Sequence, residues 1–186
     1  AITVTKRNVT VAADNKNVVY GDAVPSLTAT VNNEVAGYPV IYTLGTDYTA
    51  GANAGQNFDI TVSLGENPNY NVTIVNGTLT VNKAHLDITN ATQVIETSAN
   101  STYTFNKDLL VETLNGVELN DSFEYVGIPT YTVASTYQFT ATLSHVNYEG
   151  SVLCTYIIKS VDVGGTLYTI EDALNVATSG NVIVKA

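Results

Sequence analysis

The chain has no Met, no Trp, a single Cys, 4 Pro and only 7 Lys plus Arg in 186 residues. One cysteine excludes an internal disulfide framework. Cys154 sits inside the apolar run VLCTYII, where a small buried thiol is expected rather than a nucleophile. With 17 Asp plus Glu the formal charge is -10, which repels phosphate backbones and anionic lipid and argues against nucleic acid as a partner. No apolar run approaches the ~18 residues of a spanning helix, so no membrane insertion is expected. No signal peptide is recognisable, and Ala1 falls in mid-pattern, so the sequence reads as an excised segment of a longer chain. Catalytic signatures are missing as well: there is no GxSxG, HExxH or phosphate-cradling glycine loop, and Val163-Gly164-Gly165 reads as a turn. His85 and His145 lie far apart with no Cys or carboxylate at ligand spacing. No catalytic, cofactor-binding or metal-binding residue is assigned, and no enzymatic activity is expected.

What the chain does contain is Thr, Val, Asn and Tyr with only 13% charged residues, the composition of half-buried sheets. Its organising stretch is Gly77 to Ile88, GTLTVNKAHLDI. Apolar side chains fall on odd positions before Lys83 (Leu79, Val81) and on even ones after His85 (Leu86, Ile88). Side chains alternate faces along a strand, so the change of parity means that the chain switches from one core to the next with no flexible linker. Ile2 and Val4, then Lys6 and Arg7, then Val9 and Val11 repeat the device, and Lys6 and Lys83 stand 77 residues apart. The expected division is a first β unit over 1–84, with 1–6 as the end of a preceding unit, a second over 85–160, and a different piece over 161–186.

In the first unit the pattern predicts a strand over 8–13, a turn over 14–17 and a bend from Asp22 to Pro25. An inward face follows at Leu27, Ala29 and Val31, then a strand through Val40, Tyr42 and Leu44. Phe58, Ile60, Val62 and Leu64 alternate with Asp59, Thr61 and Ser63 as a strand with one wet face. Tyr70, Val72 and Ile74 lead to Asn76-Gly77 and then to Leu79 and Val81; Asn-Gly between two β runs predicts a type I′ hairpin. Six or seven strands and no helix fit a two-sheet sandwich.

These residues resemble a known family. VYGD (19–22) with Pro25, YTLGTDYTAG, NPNYNVTIVNGTLTV and the closing Asn82-Lys83-Ala84 are similar to the MBG domain of the YGX type over residues 8–84. The resemblance implies a tandem Ig-like repeat of large bacterial secreted or surface-attached, adhesin-like proteins, with no catalytic residue to carry over. The second unit is diverged. Its closing half, YQFTATLSHVNYEGSVLCTYIIK, keeps the plan and resembles the NYxG endings of bacterial Ig-like repeats, but Thr97 to Asn100 replace VYGD. Asn115-Gly116 predicts a hairpin that the first unit lacks. In the tail, Thr169 with Asp172 resembles a capping box, Ala173, Leu174 and Ala177 form one face of a two-turn helix stopped by Gly180, and Val182 and Val184 begin a strand. This piece reads as the first coil of a parallel β-helix or as a cap on the second unit. The fold class is therefore all-β: two Ig-like β-sandwich repeats in tandem and a short helix-containing C-terminal piece.

Few side chains invite a site. Asp108, Glu112, Glu118, Asp121 and Glu124 suit either a Ca²⁺ site or a solvated acidic edge that resists pairing with other sheets; the lack of a DxDxDG loop favours the edge. Lys6, Lys83 and Lys159 recur at unit ends, as isopeptide donors or as charges that mark the joint. Six Asn-x-Ser/Thr sequons (Asn8, Asn71, Asn76, Asn90, Asn100, Asn120) are what an Asn- and Thr-rich chain produces by chance. Tyr38, Tyr42, Tyr48, Tyr70, Tyr103, Tyr131 and Tyr148 offer stacking platforms for sugars, or fill half-buried sheet positions with hydroxyls reaching water. The expected function is a non-catalytic stalk or spacer of an extracellular bacterial surface or secreted protein, in contact with neighbouring repeats of its own chain. The alternatives are an adhesive module binding a glycan or host surface protein, and a spacer of a polysaccharide-active β-helix enzyme.

Overall fold

The computed structural model describes residues 3–89, 91–97, 101–163, 166–176 and 183–184. The chain divides into two compact units, 1–84 and 85–186.

The first unit has seven strands: β1 (Arg7–Ala13), β2 (Lys16–Val19), β3 (Ala29–Asn32), β4 (Tyr42–Thr46), β5 (Asn57–Leu64), β6 (Tyr70–Val75) and β7 (Gly77–Asn82). They form two sheets, ordered β3-β1-β6 and β2-β7-β5-β4. Val9, Val11 and Ala13 from one sheet meet Val18, Ile60, Val62, Leu79 and Val81 from the other in one buried core, so the alternation marks an inward face at Phe58, Ile60 and Val62, whereas Leu64 at the strand's end is exposed. Fully burying a Val, Leu or Ile side chain stabilises by about 1.5–3 kcal/mol each, and this core is the main source of cohesion.

The connections between the sheets differ from the sequence expectation. Asn76-Gly77 is not a hairpin: β6 and β7 lie in different sheets, and neither residue has positive φ. The chain crosses there from one sheet to the other, and β1 crosses to β2 at Asp14-Asn15 beside it. β1 runs parallel to β6 from Arg7↔Tyr70 to Ala12↔Val75, and β2 runs parallel to β7 from Lys16↔Leu79 to Val19↔Asn82. The partner is 63 residues away in both sheets, so the two terminal segments change sheets together without losing register. Gly77 is needed because a Cβ there would lie 2.7 Å from the Ala13 carbonyl oxygen and 3.0 Å from that of Asp14. The Thr78 N–H donates to Asn15 Oδ1 (2.8 Å), spanning the corner where the ladder is interrupted. The predicted turn over 14–17 shrinks accordingly, since Lys16 and Asn17 already belong to β2.

Along the joint, Leu79 and Val81 are buried in the first unit's core, Leu86 is buried in the second unit, and Lys83 and His85 are exposed. The parity change thus marks the passage from one hydrophobic interior to the next. The second unit begins with β8 (Ala84–His85), β9 (Asp87–Ile88), β10 (Thr92–Glu96), β11 (Tyr103–Thr104), β12 (Glu112–Leu114), β13 (Val117–Glu118) and β14 (Glu124–Val126). It continues with β15 (Thr130–Tyr131), β16 (Thr136–Ser144), β17 (Tyr148–Glu149) and β18 (Ser151–Lys159). Its four-stranded sheet, β10-β18-β16-β14, repeats the order and strand directions of β2-β7-β5-β4. β10 is again parallel to the closing strand at a spacing of 63, from Thr92↔Thr155 to Glu96↔Lys159. The other strands are short pieces, among them the β13-β12-β9 sheet. Here Asn115-Gly116 does make the predicted hairpin, with Leu114 opposite Val117 and φ of 52° and 80° at the two turn residues. The replacement for VYGD at 98–100 lies outside the described residues.

In the tail, β19 (Val161–Val163) pairs antiparallel with β20 (Thr166–Tyr168) and with β21 (Ile183–Val184). Helix α1 (Ile170–Val176) follows Thr169. The Thr169 hydroxyl accepts the Asp172 N–H (3.1 Å) and donates to Asp172 Oδ2 (2.9 Å), so the expected N-cap is present. Of the expected apolar helix face, Ala173 is fully buried but Leu174 is 66% exposed. Gly164-Gly165, Ala177, Gly180 and Val182 lie outside the described residues.

Candidate functional site

A buried tyrosine stands at each end of the paired terminal segments of the first unit, Tyr70 at the start of β6 and Tyr48 in the loop after β4. At the entry end, Tyr70 stands opposite Arg7, and the Arg7 N–H donates to the Asn69 carbonyl (2.9 Å). The Tyr70 hydroxyl donates to the Tyr38 carbonyl (2.6 Å) and accepts the Val35 N–H (3.1 Å), which ties the 33–40 loop to the start of β6. Glu34 Oε1 accepts the Val40 N–H (2.6 Å) and closes the same loop. At the exit end, Gly21 takes φ of 91°, Asp22 Oδ2 accepts the Val19 N–H (3.1 Å), and the Tyr48 hydroxyl donates to the Asp22 carbonyl (2.7 Å). The Tyr20 N–H donates to the Asn82 carbonyl (2.9 Å), so the VYGD turn closes directly on the last residue of β7. The roles of Tyr48 and Tyr70 differ from the expectation: their hydroxyls hold loop carbonyls instead of reaching water.

Residues 9–80 match the family model of the MBG domain (YGX type). No curated protein matches the chain. MBG domains are structural repeat units with no catalytic activity known to them, and the match spans most of the first unit. Within that unit, the VYGD signature of the MBG match is the turn pinned by Tyr48 and closed on Asn82.

A cleft of about 480 Å³ at the entry end is walled by Val4, Lys6, Arg7, Val35, Tyr38 and Tyr70, among others. Tyr38 is 62% exposed, the one member of the predicted tyrosine set presented to solvent; Tyr42, Tyr103, Tyr131 and Tyr148 are half-buried. Tyr131 stacks on Tyr137 at 3.7 Å, and Tyr148 packs edge-on against Phe123.

The second unit has its own cleft, about 370 Å³, lined by Asp108, Glu112, Glu118 and Asp121 together with Lys107 and Tyr125. Among the described residues no three acidic, His or Cys side chains converge as metal ligands. Glu112 is buried and accepts the Tyr125 hydroxyl, and Glu124 pairs with Lys107 (2.7 Å). Burial, then the Glu112 hydrogen bond and charge, push the Tyr125 phenol far above its ordinary range. His145 packs on Phe123 and Tyr148, while His85 is exposed and 3.9 Å from Asp87. Cys154 is fully buried, and burial raises its thiol; a thiol held protonated is a poor nucleophile. Lys159 faces Glu96 (3.5 Å), an ion pair, and Lys6 lines the entry cleft. Of the sequons, Asn90 and Asn100 lie outside the described residues, whereas Asn71 donates to Asn8 (3.2 Å) and Asn76 accepts the Val62 N–H (3.3 Å).

Proposed function

We propose that this chain is a non-catalytic spacer segment of a bacterial cell-surface or secreted protein, its MBG-type unit serving to carry and extend other domains. The observation that supports this most directly is the path through the first unit. Because β1 with β2 runs parallel to β6 with β7, the chain enters beside Tyr70 and leaves beside Val19, at opposite ends of the unit. That is what serial connection of repeats requires, and an antiparallel terminal pair would have brought both ends together. The test is surface exposure of the parent protein. Antibodies against residues 1–186 should label intact, unpermeabilised cells or the culture medium, and brief protease treatment of intact cells should remove the signal. A protein found only in the cytosolic fraction overturns the reading.

The entry cleft favours a second reading, an adhesive unit that stacks Tyr38 on a sugar ring or on a host protein, with Lys6 and Arg7 beside it. Exposed aromatic faces suit that role. Binding on a glycan or host-protein array that Tyr38→Ala abolishes supports it, and binding that Tyr38→Ala leaves unchanged removes it.

A further inference from the structure

We propose that the first unit is a load-bearing module whose resistance to force resides in the paired segments 7–19 and 70–82, an inference that rests on the spacer reading and gives it a mechanical content. A pull on the chain before Arg7 and after Asn82 acts along the axes of two neighbouring parallel strands in opposite directions. The hydrogen bonds between them lie across that axis, so they are loaded together and none can fail first. Six register pairs in one sheet and four in the other share the load. The corner between the sheets would be the weak point, and it is bridged by the Asn15 side chain to the Thr78 N–H and closed by the tight approach of Gly77 to Ala13 and Asp14. Both ends are secured: Arg7 N–H to Asn69 at entry, Tyr20 N–H to Asn82 at exit, with Tyr70 and Tyr48 holding the adjoining loops. In each pair one strand is internal to its sheet, β1 in one and β7 in the other, and its partner, β6 or β2, forms the edge.

Forced unfolding is governed by the rate of crossing the unfolding barrier and not by equilibrium stability, so pulling direction is the discriminating variable. Two versions of the full chain, each tethered at its N-terminus, separate the geometries. In Lys83→Cys the second handle loads the pair lengthwise. In Glu66→Cys, or independently Pro68→Cys, the second handle sits at the entry end and opens the β1–β6 ladder one pair at a time. Cys154 is fully buried and does not compete for a thiol-reactive tether while the chain is folded. The expected result in single-molecule force spectroscopy is an opening force several times higher for the Lys83→Cys tether than for either entry-end tether, with all variants equally stable to denaturant. Equal forces in the two geometries, high or low, overturn the proposal. The measurement uses purified chain, so its failure leaves the surface-exposure test untouched, and a cytosolic location would leave a measured force difference standing.

Discussion

Replacing Gly77 by Ala tests the corner at which the first unit changes sheets. In an ordinary strand the substitution gains about 0.4–1 kcal/mol by narrowing the unfolded ensemble. Here the new Cβ would lie 2.7 Å from the Ala13 carbonyl oxygen and 3.0 Å from that of Asp14, both backbone atoms, so one crossing segment must move away from the other. Forcing atoms into a packed interior costs about 1–3 kcal/mol. Moving the segments apart also lengthens the 2.8 Å bond from Thr78 to Asn15, a contribution of about 1 kcal/mol. The net expectation is destabilisation of the first unit by about 1–3 kcal/mol, since the losses exceed the entropic gain. At about 1.4 kcal/mol per tenfold change, amides of β1, β6 and β7 that exchange by opening of the unit should exchange about 5- to 150-fold faster. Native-state hydrogen exchange read by peptide mass separates the units, and the peptides of β16 and β18 serve as the internal reference. Unchanged or slower exchange in the first unit would mean that the two backbones do not meet at this glycine, and would refute the crossing geometry.

Tyr70→Phe removes a donor to Tyr38 and an acceptor for Val35 and should cost about 1–3 kcal/mol, and Tyr48→Phe about 1–2 kcal/mol, in chemical denaturation. A loss below about 0.5 kcal/mol in both would remove the pinning role of the hydroxyls. In the second unit the phenols of Tyr125, Tyr137 and Tyr156 and the thiol of Cys154 are held protonated, chiefly by burial. Their folded-state values lie above the ordinary ones, so the folded chain keeps protons that the unfolded chain releases. Stability from this source is fully present below the ordinary Cys value of about 8.5 and is lost as pH rises past that and past about 10 for Tyr. Denaturation midpoints followed from pH 7 to 11 should fall for the second unit; a flat midpoint contradicts it. Thr169→Ala removes the N-cap of α1 and should cost about 1 kcal/mol, read as faster exchange at the Asp172 and Ala173 amides.

Two Asn-Gly pairs in this chain show where sequence reasoning succeeds and where it stops. Asn115-Gly116 and Asn76-Gly77 both stand between β runs, and local grammar gives them one prediction. The first fulfils it because Leu114 and Val117 are partners in the same small sheet and both turn residues take positive φ. The second does not, because Val75 pairs with Ala12 in one sheet while Leu79 pairs with Lys16 in the other. What decides between a hairpin and a crossing is the partner strand 63 residues away, and no window around residue 76 contains it. Patterns confined to one strand were legible for the same reason: Phe58 to Leu64, the parity change around Lys83 and the Thr169 cap each need only neighbours a few positions off.

The paired tyrosines show the same division at the level of the site. Composition predicts sheet positions for both tyrosines; Tyr70 opens β6 but Tyr48 lies in the loop after β4, and the atoms they hold, the carbonyls of Asp22 and Tyr38, are 26 and 32 residues distant in the chain. One signal was available. VYGD and NPNY stand at the two ends of the segments that the repeat spacing makes terminal, and a turn at a chain entrance or exit has to be anchored by something beyond itself. The second unit supports this. It keeps the parallel pairing of β10 with β18 at the same spacing of 63 and keeps the tyrosine of NPNY as Tyr148, while VYGD is replaced. The parallel terminal pair therefore does not depend on the VYGD turn, and the turn is a means of fastening one end of it. This ordering makes a specific demand: Asp22→Ala, which removes the side-chain acceptor for Val19 but leaves the carbonyl that Tyr48 holds, should loosen exchange at Val19 and Tyr20 and leave the ladder from Arg7 to Ala12 protected. Loss of protection along that whole ladder would show that the turn sustains the pairing.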